Sequence, residues 1–375
     1  MHKKILIFID HFLPGYRAGG PVTSIANMVK LLENDLEIIV ATSNKDFGSN
    51  APYDNVEYDT LTQYKNYNVI YLSKINLATF SKTIEEIDPD IIYLNSIFST
   101  FSRLAQIYSL KNKFRIPIIL APRGELQENA LAIKVFKKKV YLGIYKLLKI
   151  PKHIHFHATD PIEHKRIKEL FSTDDIVTIS NIPKIIDKKA LSKEVNELKL
   201  LYISRIMSSK NLLLALNILS MCKHTIEYDI YGPVEDTAYW EECQKMIAKL
   251  PNNIIIAYKG ILKPSEVSNT MKKYHALLLP TVTENFGHVI VEAMQSGLVP
   301  IISNNTPWLD LEKHHAGWDI DLANKDLFIQ AIDTLHEMND KIYSNMSHNT
   351  IEYIDKKLNI GQLKEKYTKM FTYSF

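Results

Sequence analysis

Residues 274–304 restrict this chain to one kind of fold. They begin with the apolar run ALLL at 276–279, the length of a strand buried on both faces and too short for a core helix. A polar, turn-forming patch follows at 281–287. Ile290, Val291 and Met294 then recur at helical spacing, Gly297 stops the helix, and VPII at 299–302 makes a second apolar run. Strand, helix and strand in this span form a βαβ unit, and only a parallel sheet needs such a crossover. Glu284 falls in the loop at the carboxyl end of the first strand, and Glu292 about two turns inside the helix. Open parallel sheets bind ligands at that edge. Two carboxylates beside an amide-rich helix start outline a pocket for a polyol or nucleotide. The same pair also reads as a helix cap and a solvated surface charge.

The strand and helix rhythm extends both ways. Residues 5–9 read as a strand, 11–23 as a loop of small residues, and 24–32 as a helix. Gly19 and Gly20 let the backbone approach an anion at that helix start. Their spacing is not G-x-G-x-x-G, so no dinucleotide fingerprint is present. Strands are expected at 36–41, 69–71, 91–94, 117–121 and 176–179, with helices at 81–87 and 102–112. A polar run from Asp187 to Glu197 marks a boundary. The expected domains are 1–182, a linker at 183–197, a second domain at 198–350, and a helical tail at 351–375 able to pack back toward the first domain. The second half restarts with a strand at 198–203, after which Arg205 and Lys210 bracket a loop. Two cations there can neutralise a diphosphate, or they are simply solvated. Strands at 228–231 and 253–257, turns at 304–310 and 317–319, and helices at 326–338 and 343–371 complete the reading. The outcome is an α/β protein of two similar domains facing a cleft.

A length of 375 residues suits two domains, and 46% hydrophobic with 23% charged residues is the balance of a water-soluble protein. A formal charge of +3 is too weak for a nucleic-acid partner. Cys222 and Cys243 have neither metal-ligand spacing nor a disulfide framework and read as packing residues in helical segments. Lys3 and Lys4 lead directly into a short strand region ending at Asp10, so no signal peptide is expected, and no apolar run reaches membrane-spanning length. The segment APRGEL, 121–126, puts Arg123 after a strand. It can hold a phosphate or an acceptor group, or pair with Glu125 or Glu128. Residues 129–157 contain Lys134, Lys137, Lys138, Lys139, Lys146, Lys149 and Lys152 and no acidic residue, beside a broad apolar surface. Such a segment suits an anionic membrane surface or a pyrophosphate-bearing substrate, and equally a core helix whose lysines face water. His155 and His157 share one strand face but lack a third ligand, so no metal site is expected.

Taken together, these residues resemble glycosyltransferase family 4, retaining enzymes with the two-domain GT-B fold. The most specific match is TENFGHVIVEAMQSGLVPI, with two glutamates seven intervening residues apart. The resemblance implies that Glu292 binds the ribose hydroxyls of a nucleotide sugar and Glu284 sits by the donor sugar. Amides around Asn285, Phe286 and Gly287 would hold sugar or phosphate, Arg205 and Lys210 the diphosphate, and Gly19 and Gly20 would lie near diphosphate and acceptor. APRGEL and the later HATDPIEH look like a subgroup that builds bacterial lipopolysaccharide O-antigen or capsule. Many relatives carry a histidine near the donor sugar where this chain offers Arg123, which leaves Arg123 to contact donor, acceptor or loop; His157 is a candidate for the acceptor side. The implied reaction moves a hexose or N-acetylhexosamine from a UDP-sugar, or second a GDP-sugar, to a glycan or polyprenyl-diphosphate-linked glycan. It retains the anomeric configuration and requires no metal or other cofactor. The implied setting is the cytoplasm, or the cytoplasmic face of the inner membrane through the basic region 134–152. Rival readings are a non-catalytic sugar- or nucleotide-binding module and a GT-B sugar phosphorylase. Oligomeric state is open.

Overall fold

The computed structural model describes residues 3–372 apart from 55, 65–66, 132–134, 185 and 187. Lys134 and Asp187 therefore lie outside the described residues. The chain divides into two compact units: residues up to Ile182 together with those from Ile360 onward, and Pro183–Asn359.

The first unit contains β1 Lys4–Phe8, α1 Gly20–Leu32, β2 Glu37–Ser43, β3 Thr62–Tyr64, β4 Tyr67–Leu72, α2 Leu77–Ile87, β5 Ile91–Asn95 and α3 Thr100–Lys111. It continues through β6 Ile118–Ala121, α4 Glu128–Leu131, α5 Val135–Leu147, β7 Ile154–Ala158, α6 Pro161–Phe171 and β8 Ile176–Thr178. The strands lie in the order β3-β4-β2-β1-β5-β6-β7-β8, and every pair is parallel except β3 with β4. Strand β1 is central, Ile5 standing opposite Ile38 on one side and Ile91 on the other. Residues alternate to opposite faces, and both faces are covered. Ile5 and Ile7 enter one core with α1, while Leu6 and Phe8 enter the other with α2 and α3.

The second unit contains β9 Lys199–Ile203, α7 Leu212–Leu219, β10 Ile226–Tyr231, α8 Thr237–Ile247, β11 Ile254–Gly260, α9 Val267–Met271 and β12 Ala276–Leu279. After these come α10 His288–Gln295, β13 Val299–Ser303, β14 Trp318–Ile320, α11 Lys325–Glu337 and α12 Asp340–Leu358. Its six strands are all parallel, in the order β11-β10-β9-β12-β13-β14. From β9 the chain winds outward through β10 and β11, then returns to place β12 on the other side of β9. The switch point is therefore the crevice between β9 and β12.

Several local expectations change. Residues 317–319 are not merely a turn: Trp318–Ile320 pairs with β13 because Trp318 and Ile320 point inward from an edge strand. Cys222 lies past the end of α7, not in a helix, while Cys243 is in α8, and both are buried. Burial pushes their thiols up, to about 12 and about 11, which suits packing residues. The stretch 183–197 is held in the second unit, where Lys193 Nζ donates to the carbonyls of His336 and Met338. The long C-terminal helix breaks at Asn359, which takes the left-handed conformation. The final helix, α13 Ile360–Thr372, belongs to the first unit and buries Leu363, Tyr367, Met370 and Phe371 at helical spacing.

Candidate active site

In the second unit the site is made by two loops at the switch point, one after β9 and one after β12. The first is pressed onto the end of β10. Ser204 N donates to the Tyr231 carbonyl and Ile206 N to that of Pro233. Gly232 makes this approach possible: its φ is +143°, and a Cβ there would stand 1.8 Å from the Ser204 carbonyl oxygen. A 3₁₀ turn, Ser208–Lys210, then presents Lys210. The second loop is tied to that turn, because Val282 N and Thr281 Oγ1 both donate to the Ser209 carbonyl at 2.9 and 3.1 Å.

These ties bring Lys210 and Glu284 together. Lys210 Nζ donates to Glu284 Oε2 at 2.5 Å, and both side chains are largely buried. Glu284 N is fixed in turn by the Asn305 carbonyl at 3.0 Å. Helix α10 begins at Gly287, whose φ is +73° and which provides no side-chain cap. A Cβ on Gly287 would lie 2.9 Å from Glu284 Cγ and 3.0 Å from Ile290 Cδ1, so the glycine supplies both the conformation and room for the carboxylate. Phe286 turns its ring into the core against Trp308, and its carbonyl accepts from Trp308 Nε1 at 2.6 Å. Only the backbone around Phe286 is left for a ligand-binding role.

Arg205 is half exposed and pairs with Glu235, Nη1 to Oε2 at 2.7 Å. Glu292 is half-buried in α10. Burial pushes its carboxyl up to about 7, although the Lys184 ammonium pulls the other way. The carboxylate expected as a possible surface charge is thus desolvated enough to titrate near neutrality. Glu235, Lys184 and Trp308 were not singled out from the sequence. Glu235 could have been, since it closely follows the Gly-Pro that ends a strand at the same sheet edge.

The first-unit candidates have a different character. Gly19, φ +69°, precedes α1 without a side-chain cap, Gly20 is the first residue of that helix, and the first turn has no acidic residue. The helix start is open, as an anion-accepting turn requires, but Pro21 removes one amide. Arg123, φ +56°, directs its guanidinium inward: Nε donates to Asn95 Oδ1 at 3.2 Å, Nη2 to Tyr93 OH at 2.9 Å, and Nη1 to Asn181 Oδ1. It braces the loop and pairs with neither Glu125 nor Glu128. Glu125 accepts from Ser96 Oγ and from Ile97 N, and Glu128 pairs with Arg166. His157 is 0% exposed, its Nδ1 2.7 Å from Tyr93 OH and its Nε2 2.9 Å from the Ile179 carbonyl oxygen. Burial and the Arg123 charge lower its pKa to about 3. The imidazole is sealed and both its nitrogens are held within the first unit, so in this arrangement His157 braces the strand ends around it. APRGEL and HATDPIEH also meet: buried Glu163 accepts from Gly124 N at 2.6 Å and Thr159 N at 2.7 Å. His155 pairs with Asp175 at 2.5 Å. Among the described residues no group of three or more His, Cys, Asp or Glu is placed to hold a metal ion.

Two α/β units, each built on a largely or wholly parallel sheet, are the GT-B fold. Solved structures with this fold superpose over nearly the whole chain. Anabaena Alr3699/HepE, in a complex with UDP and glucose, is 14% identical with a TM-score of 0.73, covering 99% of this chain and 100% of its own. Sucrose-phosphate synthase from Thermosynechococcus elongatus is 12% identical with a TM-score of 0.74, covering 99% and 98%. Residues 183–357 match the family model "Glycosyl transferases group 1". A Klebsiella pneumoniae relative, an uncharacterized 41.2 kDa protein in the cps region, is 27% identical over 343 residues, 86% of this chain and 89% of its own.

Proposed function

We propose that the protein is a retaining glycosyltransferase of family 4. On this reading it moves a hexose or N-acetylhexosamine from a nucleotide diphosphate sugar, UDP-linked before GDP-linked, to a hydroxyl of a glycan or lipid-linked glycan. The product would be part of a bacterial surface polysaccharide such as O-antigen or capsule, made on the cytoplasmic side of the membrane. The observation that carries the reading is the Lys210–Glu284 pair at the switch point of the domain that matches the glycosyltransferase model. The UDP and glucose bound by the Anabaena protein support the choice of carrier, and the cps-region relative supports the choice of pathway.

The chemistry follows from the charges. An incoming diphosphate competes with Glu284 for Lys210 and with Glu235 for Arg205. Both cations then stabilise the negative charge that grows on the departing phosphate. Glu284, released from Lys210, accepts a hydrogen bond from a donor-sugar hydroxyl. Glu292 accepts from the ribose hydroxyls. The bond from the anomeric carbon to the phosphate oxygen breaks as the acceptor oxygen bonds to that carbon on the same face. The acceptor proton passes to the departing phosphate, so no protein nucleophile is needed.

The test is a thermal-shift panel of UDP, GDP, ADP and their sugar conjugates, followed by mass-spectrometric product detection with lipid-linked acceptors. UDP compounds should raise the melting temperature; a ligand at 100 times its Kd adds about 2.7 kcal/mol. A glycosylated product should follow. Donor binding without turnover across the acceptor panel would instead establish the binding module. Stabilisation by a free glycan and orthophosphate alone would establish the phosphorylase.

A further inference from the structure

Both cations of the second unit's site hold a carboxylate, but the two carboxylates differ in what they gain when a ligand arrives. Glu284 is largely buried on Lys210 and, on the transferase reading, takes a sugar hydroxyl once a phosphate claims that lysine. Glu235 gains no such partner. Its pair with Arg205 is 2.7 Å long, with Glu235 36% and Arg205 44% exposed, so water alone solvates the carboxylate when Arg205 turns to a phosphate. Among the described residues, the Arg205 guanidinium makes no other hydrogen bond or ion pair.

The backbone keeps Glu235 in place. Glu235 N and Asp236 N both donate to the Ile206 carbonyl at 3.2 Å, and Ile206 pairs with Val234 in a parallel bridge. Ile206 is 0% exposed, so the anchor lies in the core. Asp236 is committed to the start of α8, where its Oδ1 accepts from Tyr239 N at 3.0 Å. The loop is therefore tied to the β9 loop at one end and to a helix cap at the other. The Glu235 side chain can swing off Arg205, but its charge cannot leave the neighbourhood. A half-exposed ion pair adds little to folding. What a tethered carboxylate does set is the field met by an anion at Arg205.

We propose that Glu235 is a tethered counter-anion of the diphosphate site, which weakens its hold on the departing nucleoside diphosphate more than on the sugar-bearing donor. The inference rests on the reading of this unit as a nucleotide-sugar site. When the bond from the anomeric carbon to the phosphate oxygen breaks, that oxygen keeps the electron pair. Once the phosphate has shed the acceptor's proton to water, the product carries one negative charge more than the donor did. Arg205 and Lys210 by themselves would therefore hold product more tightly than substrate. Repulsion from a carboxylate at fixed range grows with the charge it faces, so Glu235 opposes this imbalance. It returns to Arg205 as the product leaves. Glu235 acts through Arg205 and through its charge, and touches no reacting atom.

The experiment is isothermal titration calorimetry of the full chain with inorganic pyrophosphate, UDP and UDP-glucose, or with GDP and GDP-mannose if the thermal-shift panel selects guanosine. At low salt E235Q should bind pyrophosphate and the nucleoside diphosphate about tenfold more tightly than the wild type does. The nucleotide sugar should gain by a smaller factor, and both gains should shrink in about 0.5 M NaCl. E235D keeps the charge on the same backbone and should bind as the wild type does. A carboxylate that served only to orient Arg205 would give the opposite sign, with E235Q binding more weakly. That result overturns the proposal, as do affinities that E235Q leaves unchanged or raises equally for product and donor. In each of those cases the wild type still binds nucleotide and the functional reading stands. A wild type that binds none of the three ligands overturns the functional reading, and this inference with it.

Discussion

Replacing Glu292 by glutamine should make the second unit more stable at pH 8 while weakening its hold on a nucleotide. Burial raises this carboxyl from about 4.5 to about 7. Between those values the folded chain holds a proton that the unfolded chain has lost, so stability falls as pH rises from about 4.5 to about 7 and stays low above that. At 1.36 kcal/mol for each pH unit, the penalty at pH 8 is up to about 3 kcal/mol, against under about 1 kcal/mol at pH 5. Glutamine has the same shape and no charge to desolvate, so E292Q escapes the penalty. The assay is urea unfolding followed by tryptophan fluorescence. All three tryptophans, Trp240, Trp308 and Trp318, lie in the second unit, so the signal reports on the unit that contains Glu292. The stability difference between variant and wild type should grow from pH 5 to pH 8. Over the same change UDP affinity should drop by ten- to a hundredfold, the worth of hydrogen bonds to a charged acceptor. A difference that stays flat with pH, or an E292Q protein no more stable at pH 8, would refute the claim that this carboxylate is desolvated.

Removing either member of the Lys210–Glu284 pair should cut turnover by about a hundredfold, with E284A affecting donor affinity less than E292A does. A double-mutant cycle on urea unfolding should return a coupling of about 1–2 kcal/mol; additive effects would mean the pair does not interact in solution. Gly287→Ala should destabilise the second unit by about 1–2 kcal/mol and slow turnover, because a left-handed residue gains a Cβ that pushes on Glu284. Wild-type stability in this variant would remove the steric argument. Arg123→Ala should cost the first unit about 2–4 kcal/mol by leaving the buried Asn95 and Asn181 side-chain oxygens without their donor and removing one of the bonds to Tyr93 OH. Lysine should not rescue it, since one ammonium cannot reproduce three directed bonds. In the same unit the His157 ring should show no titration by NMR between pH 5 and pH 8, as expected for a pKa near 3.

Much of this architecture was legible because buried parallel strands must be apolar almost throughout. Such runs identify themselves at 276–279 and 299–302, and β12 and β13 lie there. Edge elements were harder to see. Trp318–Ile320 is only three residues long, next to a glycine, and reads as a turn until β13 supplies its hydrogen bonds. The place of the final crossing was equally hidden: a helical tail able to pack back was expected from 351, but nothing local to Asn359 says that the chain leaves one unit there and joins the other.

The candidate site divides in the same way. That Glu284 follows a strand and Glu292 rides a helix is a property of local spacing, and so the sequence by itself determined where both carboxylates would stand. What each carboxylate and cation touches was decided only by the tertiary structure. Lys210 meets Glu284 because β9 and β12, far apart along the chain, are neighbours in the sheet. Arg205 meets Glu235 because Gly232 lets the β9 loop lie against the end of β10. Arg123 and His157, each promising as an isolated cation and imidazole, are held by Tyr93, Asn181 and the Ile179 carbonyl, partners that only the strand order of the first unit brings to them. Side-chain type and periodicity are local quantities. Desolvation and pairing depend on strand order, which a single sequence states only in part.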